Sequence, residues 1–299
     1  MPEGPEVHTI ADWLESQVVG YTLHKIKYNE TSRYGKLKPI CDSTGEQLFD
    51  DTDKPLLKEV GLEGLLELKD LLPLTITEIA AKGKKIIFLL EGKDTSVFLV
   101  SSLMMEGKWQ WEQGKHSDLW LVVSSPSGEK HNLYFDDSRH FGTIEIVFGE
   151  QNLLIRLKEV GPDLLTDEIT DREWLSKIRN GRIKNKKIGL FLMEQKYFSG
   201  IGNYLRAEIL YAAKISPHRI LSSLSDQEAL CLLSKSCSLI RESYEAQGAT
   251  LATYRNPHGG KGGFQVLVYG KKTDPDGNPV IAEDIGDKRS THWVPSIQI

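Results

Sequence analysis

Cysteine is scarce in this sequence: Cys41, Cys231 and Cys237 are the three in 299 residues. They form no Cys-x-x-Cys pair and no cluster with histidine, so a disulfide framework is excluded and neither a metal site nor a cofactor is expected. Cys231 and Cys237 stand six apart in a helical stretch, on roughly opposite faces, and read as plain buried thiols of a reducing compartment. Long apolar runs are missing too, since the uncharged stretch Thr95–Met105 falls far short of a bilayer span, and no membrane is expected. A basic leader is also absent. The first twenty residues carry Glu3, Glu6, Asp12 and Glu15 with no Lys or Arg, so the N-terminus reads as mature sequence of an intracellular protein.

Positive charge is in short supply, with 37 Lys and Arg against 42 Asp and Glu and a net charge of -5. That excludes a histone-like or basic-tailed chain that holds nucleic acid by charge alone. What is present is an ordinary globular composition, 39% apolar and 26% charged, long enough for one large or two medium cores. The charge is divided unevenly. Residues 1–150 hold 16 basic and 25 acidic residues, whereas residues 151–299 hold 21 and 17, so an anionic ligand is expected mainly on the second half.

Helical spacing of Val7, Ile10, Ala11, Leu14 and Val18, stopped by Gly20, predicts an amphipathic helix at the N-terminus. Short β-rich runs follow, among them 86–90, 97–100, 120–123, 133–135 and 143–148, most of them separated by turn residues, and together they predict a β-sandwich or barrel. Residues 30–56 read as an insertion or mobile loop, and the leucines of 57–72 as a helix. After Pro162 the pattern turns helical. Thr170 with Glu173 and Ser225 with Glu228 are capping boxes, and four or so helices are expected over 168–248. Beyond the glycines of 259–263, strands at 264–269 and 291–294 predict a terminal hairpin. The fold class is α+β.

Pro2-Glu3-Gly4-Pro5-Glu6 carries the most chemistry. Removal of Met1 leaves a secondary amine, which titrates near neutrality and attacks an aldehydic or acetal carbon to give an iminium ion. Glu3 beside it would serve as a general acid. The plain alternative is that Pro2 and Pro5 start a helix and the acids favour its positive end. The turn Gly200-Ile-Gly-Asn203 opens a helix and offers backbone amides and an Asn amide as a phosphate cradle, or else a tight helix connection. Lys271, Lys272, Lys288 and Arg289 place basic charge on the terminal hairpin.

Together these residues resemble the Fpg/Nei family of DNA glycosylases along the whole chain. The resemblance implies a catalytic β-sandwich domain at 1–152, a helix-two-turn-helix domain at 153–262 and a finger at 263–299. It implies a monomeric bifunctional enzyme of base excision repair that acts on damaged DNA, duplex or single-stranded, flips the lesion out and attacks its anomeric carbon with the Pro2 nitrogen. Glu3 would protonate the sugar ring oxygen, Glu6 would be an acid near the lesion, and elimination would cut the strand on both sides. Lys84, in the run Lys82-Gly83-Lys84-Lys85, would be the phosphate-binding lysine, with Lys82 and Lys85 as rival registers. Asn203 and Arg289 would hold phosphates. Met105, Arg139 and Phe141 would fill the gap left by the extruded base, against plain readings of core packing for Met105 and Phe141 and an ion pair to Asp136 or Asp137 for Arg139.

One departure is plain. Most bacterial members hold the finger with four cysteines on zinc, but Tyr269 to Val294 contains none, which resembles the zincless subset of vertebrates, plants and giant viruses. Trp293, Val294 and Val280 would then pack the hairpin. Residues 252–262 do not match an 8-oxoguanine-type pattern, so oxidised pyrimidines and hydantoins are the expected lesions. A glycosylase preferring 8-oxoguanine or formamidopyrimidine, a silent abasic-DNA binder and an RNA-binding module are the alternatives.

Overall fold

The computed structural model describes residues 2–30, 32, 37–39, 57–59, 62–251 and 254–299. Most of the insertion expected at 30–56, and Cys41 with it, lies outside the described residues, as do Ala252 and Thr253. The chain divides into two compact units: Ile10–Ala81 with Lys85–Leu154, and Pro2–Thr9 with Lys82–Lys84 and Ile155–Ile299. Helix α1 (Gly4–Val18) forms as its spacing predicts, burying Val7, Ile10, Ala11, Leu14 and Val18. Gly20, at φ +87°, ends it in a conformation that a side chain resists. No helix among the described residues is long and apolar enough to cross a membrane.

The first unit is a sheet. Its strands are β1 (Thr22–Tyr28), β2 (Leu37–Pro39), β3 (Leu57–Glu59), β4 (Leu62–Glu63), β5 (Leu74–Lys82), β6 (Lys85–Glu91), β7 (Ser96–Ser102), β8 (Lys108–Gln110), β9 (Leu119–Ser124), β10 (Lys130–Asp136) and β11 (Thr143–Phe148). Nine of them join in the order β4-β11-β7-β6-β5-β1-β9-β10-β8, while β2 and β3 pair apart. Side chains alternate inward and outward, as in β9, where Leu119, Leu121 and Val123 are buried. The two layers come from this one sheet folding over. Trp109, on terminal strand β8, packs with its ring tilted 5.3 Å from Phe88 of β6 and donates its indole N–H to Ser101 Oγ of β7 at 3.1 Å. Phe88, Trp109 and Phe135 are all buried there, each worth about 1.5–3 kcal/mol over exposure.

The helix expected over 57–72 is not formed. Leu57–Glu59 pairs with Leu37–Pro39, Leu62–Glu63 runs parallel to β11, and the helix is confined to α2 (Leu65–Lys69). Gly64 divides the two at φ +83°, where a Cβ would meet Ile146 at 2.9 Å. Pairing with distant strands overrides the leucine periodicity.

The second unit is helical. Among its helices are α4 (Asp171–Ile178), α5 (Ile188–Phe191), α6 (Asn203–Ala212) and α7 (Asp226–Glu245), preceded by α3 (Glu150–Leu157), which spans the junction of the two units. Both capping boxes form, at Thr170/Glu173 and Ser225/Glu228. The core is built on Trp174, whose ring packs 4.5 Å from Phe198 and whose indole N–H donates to Ala229 O at 2.7 Å. Cys231 is exposed and Cys237 half-buried, so the two are not the buried thiols expected. The terminal hairpin is β12 (Ile281–Asp284) with β13 (Ser290–Trp293). Residues 264–269 are not a strand: the amides of Leu267, Val268 and Tyr269 turn to the Glu208 carboxylate at 2.8, 3.0 and 2.8 Å. A buried carboxylate takes the donors that a ladder would have needed.

Candidate active site

The N-terminal pentad packs onto the turn that opens α6, and two glycines allow it. The Gly4 amide donates to Gly200 O at 2.8 Å, and a Cβ on Gly4 would stand 2.7 Å from Gly200 Cα. Gly200 sits at φ +101°, and a Cβ on Gly202 would fall 2.2 Å from Glu3 Cδ. The space these glycines clear is filled by the Glu3 carboxyl group. Its Oε2 accepts from Gly202 N at 2.6 Å and Leu205 N at 3.2 Å, and its Oε1 from Tyr204 N at 2.9 Å. The amides at the start of α6, which read in sequence as a phosphate cradle, are therefore taken by Glu3. The positive end of the helix is occupied by a carboxyl group that the chain itself supplies.

Glu3 is buried, and burial pushes its carboxyl up to about 7, with Glu6 adding to the rise and Lys84 and the Tyr204 and Leu205 amides opposing it. Glu6, also buried, is a structural pivot. Its Oε2 accepts from Glu3 N at 2.9 Å, and its Oε1 from the Tyr204 hydroxyl and Ala249 N, each at 2.9 Å. Tyr204 stays neutral, because burial and the two glutamates drive its hydroxyl well above its ordinary range. The Tyr254 hydroxyl is buried with no hydrogen-bond partner among the described residues, and its ring lies beside the same Glu6 and Gly248.

Of the three lysines in register dispute, Lys82 pairs with Asp167 at 3.6 Å and Lys85 opens β6. Lys84 is half-buried in the turn between β5 and β6, where burial lowers its ammonium, the Glu3 carboxyl raises it and Arg289 lowers it again. Asn203 begins α6, with its Nδ2 donating to Ser290 O at 3.0 Å and its Oδ1 accepting from Arg206. Arg289 is exposed on the turn between β12 and β13, its amide donating to Asp287 Oδ1 at 3.2 Å.

Arg206 was not foreseen. It is fully buried and pairs with Asp287 at 2.7 Å while donating to Asn203, so one guanidinium fixes both the α6 turn and the finger turn. Its sequence signal was weak, an arginine on an otherwise apolar helix face. His8 and Asp163, buried and joined at 2.8 Å, were likewise unforeseen.

Met105, Arg139 and Phe141 belong to the first unit, where Met105 and Arg139 are in contact. The Arg139 Nη1 lies 3.2 Å from Met105 Sδ and its Nε 3.3 Å from Glu106 Oε1, so its carboxylate partner is Glu106 and not Asp136 or Asp137. Phe141 is 52% exposed, which is not core packing.

A cysteine-held zinc does not fit the finger, since no cysteine follows Cys237. The turn at 274–278, ahead of β12, is held by Asp274, whose carboxylate accepts from Asp276 N at 3.0 Å, Asn278 N at 2.8 Å and the Tyr211 hydroxyl at 3.1 Å. Val294 and Val280 join an apolar cluster with Val268 and Ala207. Trp293 stands apart from it, edge-on to His218 at 5.3 Å.

Family models of formamidopyrimidine-DNA glycosylase match three stretches: the N-terminal domain over residues 52–144, the H2TH domain over 160–255 and the C-terminal domain over 260–299. The chain is 30% identical over 309 residues to the formamidopyrimidine-DNA glycosylase of Thermus thermophilus, covering 100% of this chain and 98% of that one. The fold is similar to the crystal structure of the MutM (Fpg) protein from Thermus thermophilus, with a TM-score of 0.79 at 28% identity over 99% of this chain and 98% of that one. A Lactococcus lactis Fpg variant in complex with DNA containing Fapy-dG matches with a TM-score of 0.79 at 26% identity, covering 99% of both chains.

Proposed function

The chain belongs to the formamidopyrimidine-DNA glycosylase family and is a DNA glycosylase of base excision repair, and from that premise we propose that it excises oxidised bases and cuts the strand through an imine on Pro2. The observation that carries the reading is the buried Glu3 carboxyl, pushed up to about 7 and adjoining Pro2 in the chain. A carboxylic acid that keeps its proton near neutrality suits a general acid.

In this reading Met1 is removed, and the Pro2 nitrogen attacks C1′ of a flipped nucleotide while the glycosidic bond breaks; the base leaves with that electron pair and takes up the proton lost from the Pro2 nitrogen. Glu3 delivers its proton to the ring oxygen, the ring opens, and a cationic imine joins Pro2 to the sugar. Loss of a C2′ proton then expels the 3′ phosphate, and a second elimination expels the 5′ phosphate. Lys84, Asn203 and Arg289 hold the phosphates flanking the lesion, Glu6 holds the N-terminal turn, and Met105, Arg139 and Phe141 replace the lost base in the stack. The partner is damaged DNA, in a cell compartment that contains it.

Borohydride trapping on an abasic duplex tests the mechanism. Wild type gives a covalent adduct and Pro2→Ala gives none; an undiminished adduct with Pro2→Ala refutes it, and no adduct with wild type favours a silent binder.

For the lesion class, residues 252–262 lack an 8-oxoguanine-type pattern, which supports oxidised pyrimidines and hydantoins. The Fapy-dG complex of the Lactococcus lactis relative favours a second reading, ring-opened purines. A cleavage panel of thymine glycol, dihydrouracil, guanidinohydantoin, formamidopyrimidine and 8-oxoguanine separates them. Fast excision of 8-oxoguanine opposite cytosine with poor action on thymine glycol overturns the first reading.

A further inference from the structure

We propose that His8 and Asp163 act as a positioning pair that clamps the turn between β5 and β6 and thereby holds Lys84 toward Glu3. The proposal rests on the reading of Lys84 as a residue of the active site. Asp163 is 1% exposed and His8 6%, which makes their contact an interior one. Asp163 Oδ2 accepts from the Gly83 amide at 2.5 Å and faces His8 Nε2 at 2.8 Å, and Oδ1 accepts from Leu165 N at 2.9 Å. Burial alone would raise this carboxyl, yet the bonds from His8, Gly83 and Leu165 hold it below the usual carboxylate range. It is therefore an anion, and its bond to the residue preceding Lys84 is charge-assisted.

The turn has little freedom left. Gly83 stands at φ +59°, and a Cβ there would lie 2.7 Å from Ser199 Cβ. On its N-terminal side Lys82 pairs with Asp167, whose carboxylate in turn accepts from Asp163 N at 2.8 Å. His8 completes the arrangement from the other direction. It lies on α1, about one turn after Gly4 and so just beyond Pro2 and Glu3 in the chain, and its ring meets Tyr244 of α7 edge-on at 6.3 Å. One helix therefore delivers the acid and, through His8, Asp163 and the Gly83 amide, sets where the lysine stands. Neither His8 nor Asp163 needs to touch the substrate for this.

The test is a double-mutant cycle on the full chain, read as the single-turnover rate of borohydride trapping on an abasic duplex, with melting temperature followed in parallel. Lys84→Ala and His8→Ala are each expected to slow trapping by about tenfold or more, and His8→Ala to cost less than about twofold once Lys84 is already Ala. His8→Gln, which keeps a donor near Nε2, is expected to return within about threefold of wild type. Asp163→Asn enters the same cycle and decides the matter should His8→Ala not fold. If His8→Ala traps like wild type while Lys84→Ala is slow, or if the losses with Lys84→Ala multiply in full, the pair is structural and the proposal is overturned. If Lys84→Ala itself traps like wild type, the reading of Lys84 fails and the positioning role falls with it.

Discussion

The backbone N–H of Tyr204 donates to Glu3 Oε1 at 2.9 Å, across 201 residues of sequence. That bond and its two neighbours from Gly202 and Leu205 steady a carboxyl that burial nevertheless keeps protonated to about pH 7. The acid is thus oriented by donors that favour its anion and kept protonated by an interior that disfavours it.

A pH profile follows from this. Glu3 must carry its proton to give it away, so excision governed by its carboxyl at about 7 falls by about tenfold per unit above that point. Single-turnover excision from pH 5.5 to 9 reads it, and an alkaline limb that stays flat contradicts the assignment. The linked stability has a matching sign. With the folded pKa above the ordinary 4.5, Glu3's contribution is complete below about 4.5 and is lost as the pH rises through about 7. Glu3→Gln should cost about 100-fold or more in base excision and less in trapping on a preformed abasic site, which already offers an aldehyde.

Gly202→Ala should act through Glu3. The added Cβ would stand 2.2 Å from Glu3 Cδ, so the carboxyl must leave its amides. An excision loss of about 100-fold is expected, with near-native circular dichroism as the control for folding. A fully active variant would show that the acid does not need this seat.

Arg289 and Asn203 should separate in their dependence on salt. Arg289→Ala removes a charge, and in a plot of log K against log salt for a duplex with an uncleavable abasic analogue it should reduce the slope by about 1. Asn203→Ala removes a neutral contact and should weaken binding with the slope unchanged. Equal slopes for wild type and Arg289→Ala would remove the arginine from the phosphate contacts.

Treatment with a chelator should leave excision and melting temperature as they were, because Asp274 and not cysteine holds the turn at 274–278 that leads into β12. Asp274→Ala, in contrast, should lower the melting temperature and weaken DNA binding together. A chelator-sensitive enzyme would mean that the finger has a ligand set other than cysteine.

The features legible in the sequence are those whose partners lie within a few residues of each other. The apolar stripe of α1 and the capping boxes at Thr170 and Ser225 formed as read. The expectation of an amine at Pro2 and an acid at Glu3 likewise needed only two adjacent residues. The misreadings have a common cause in distant partners. Residues 57–63 look helical until β2 and β11 offer edges to pair with, and residues 264–269 look like a strand until Glu208 takes their amides.

By itself the sequence determined the chemical inventory and the local elements, since helix stripes, caps and adjacent reactive groups need no knowledge of what folds back on them. Only the tertiary structure decided that the α6 amides hold Glu3, that the Gly83 amide before Lys84 meets Asp163, and that Arg206 ties Asp287 to α6. Those outcomes depend on burial and on backbone donors brought together from far along the chain. A carboxyl reaches a pKa of about 7 because water is excluded around it, and water exclusion is a property of the fold.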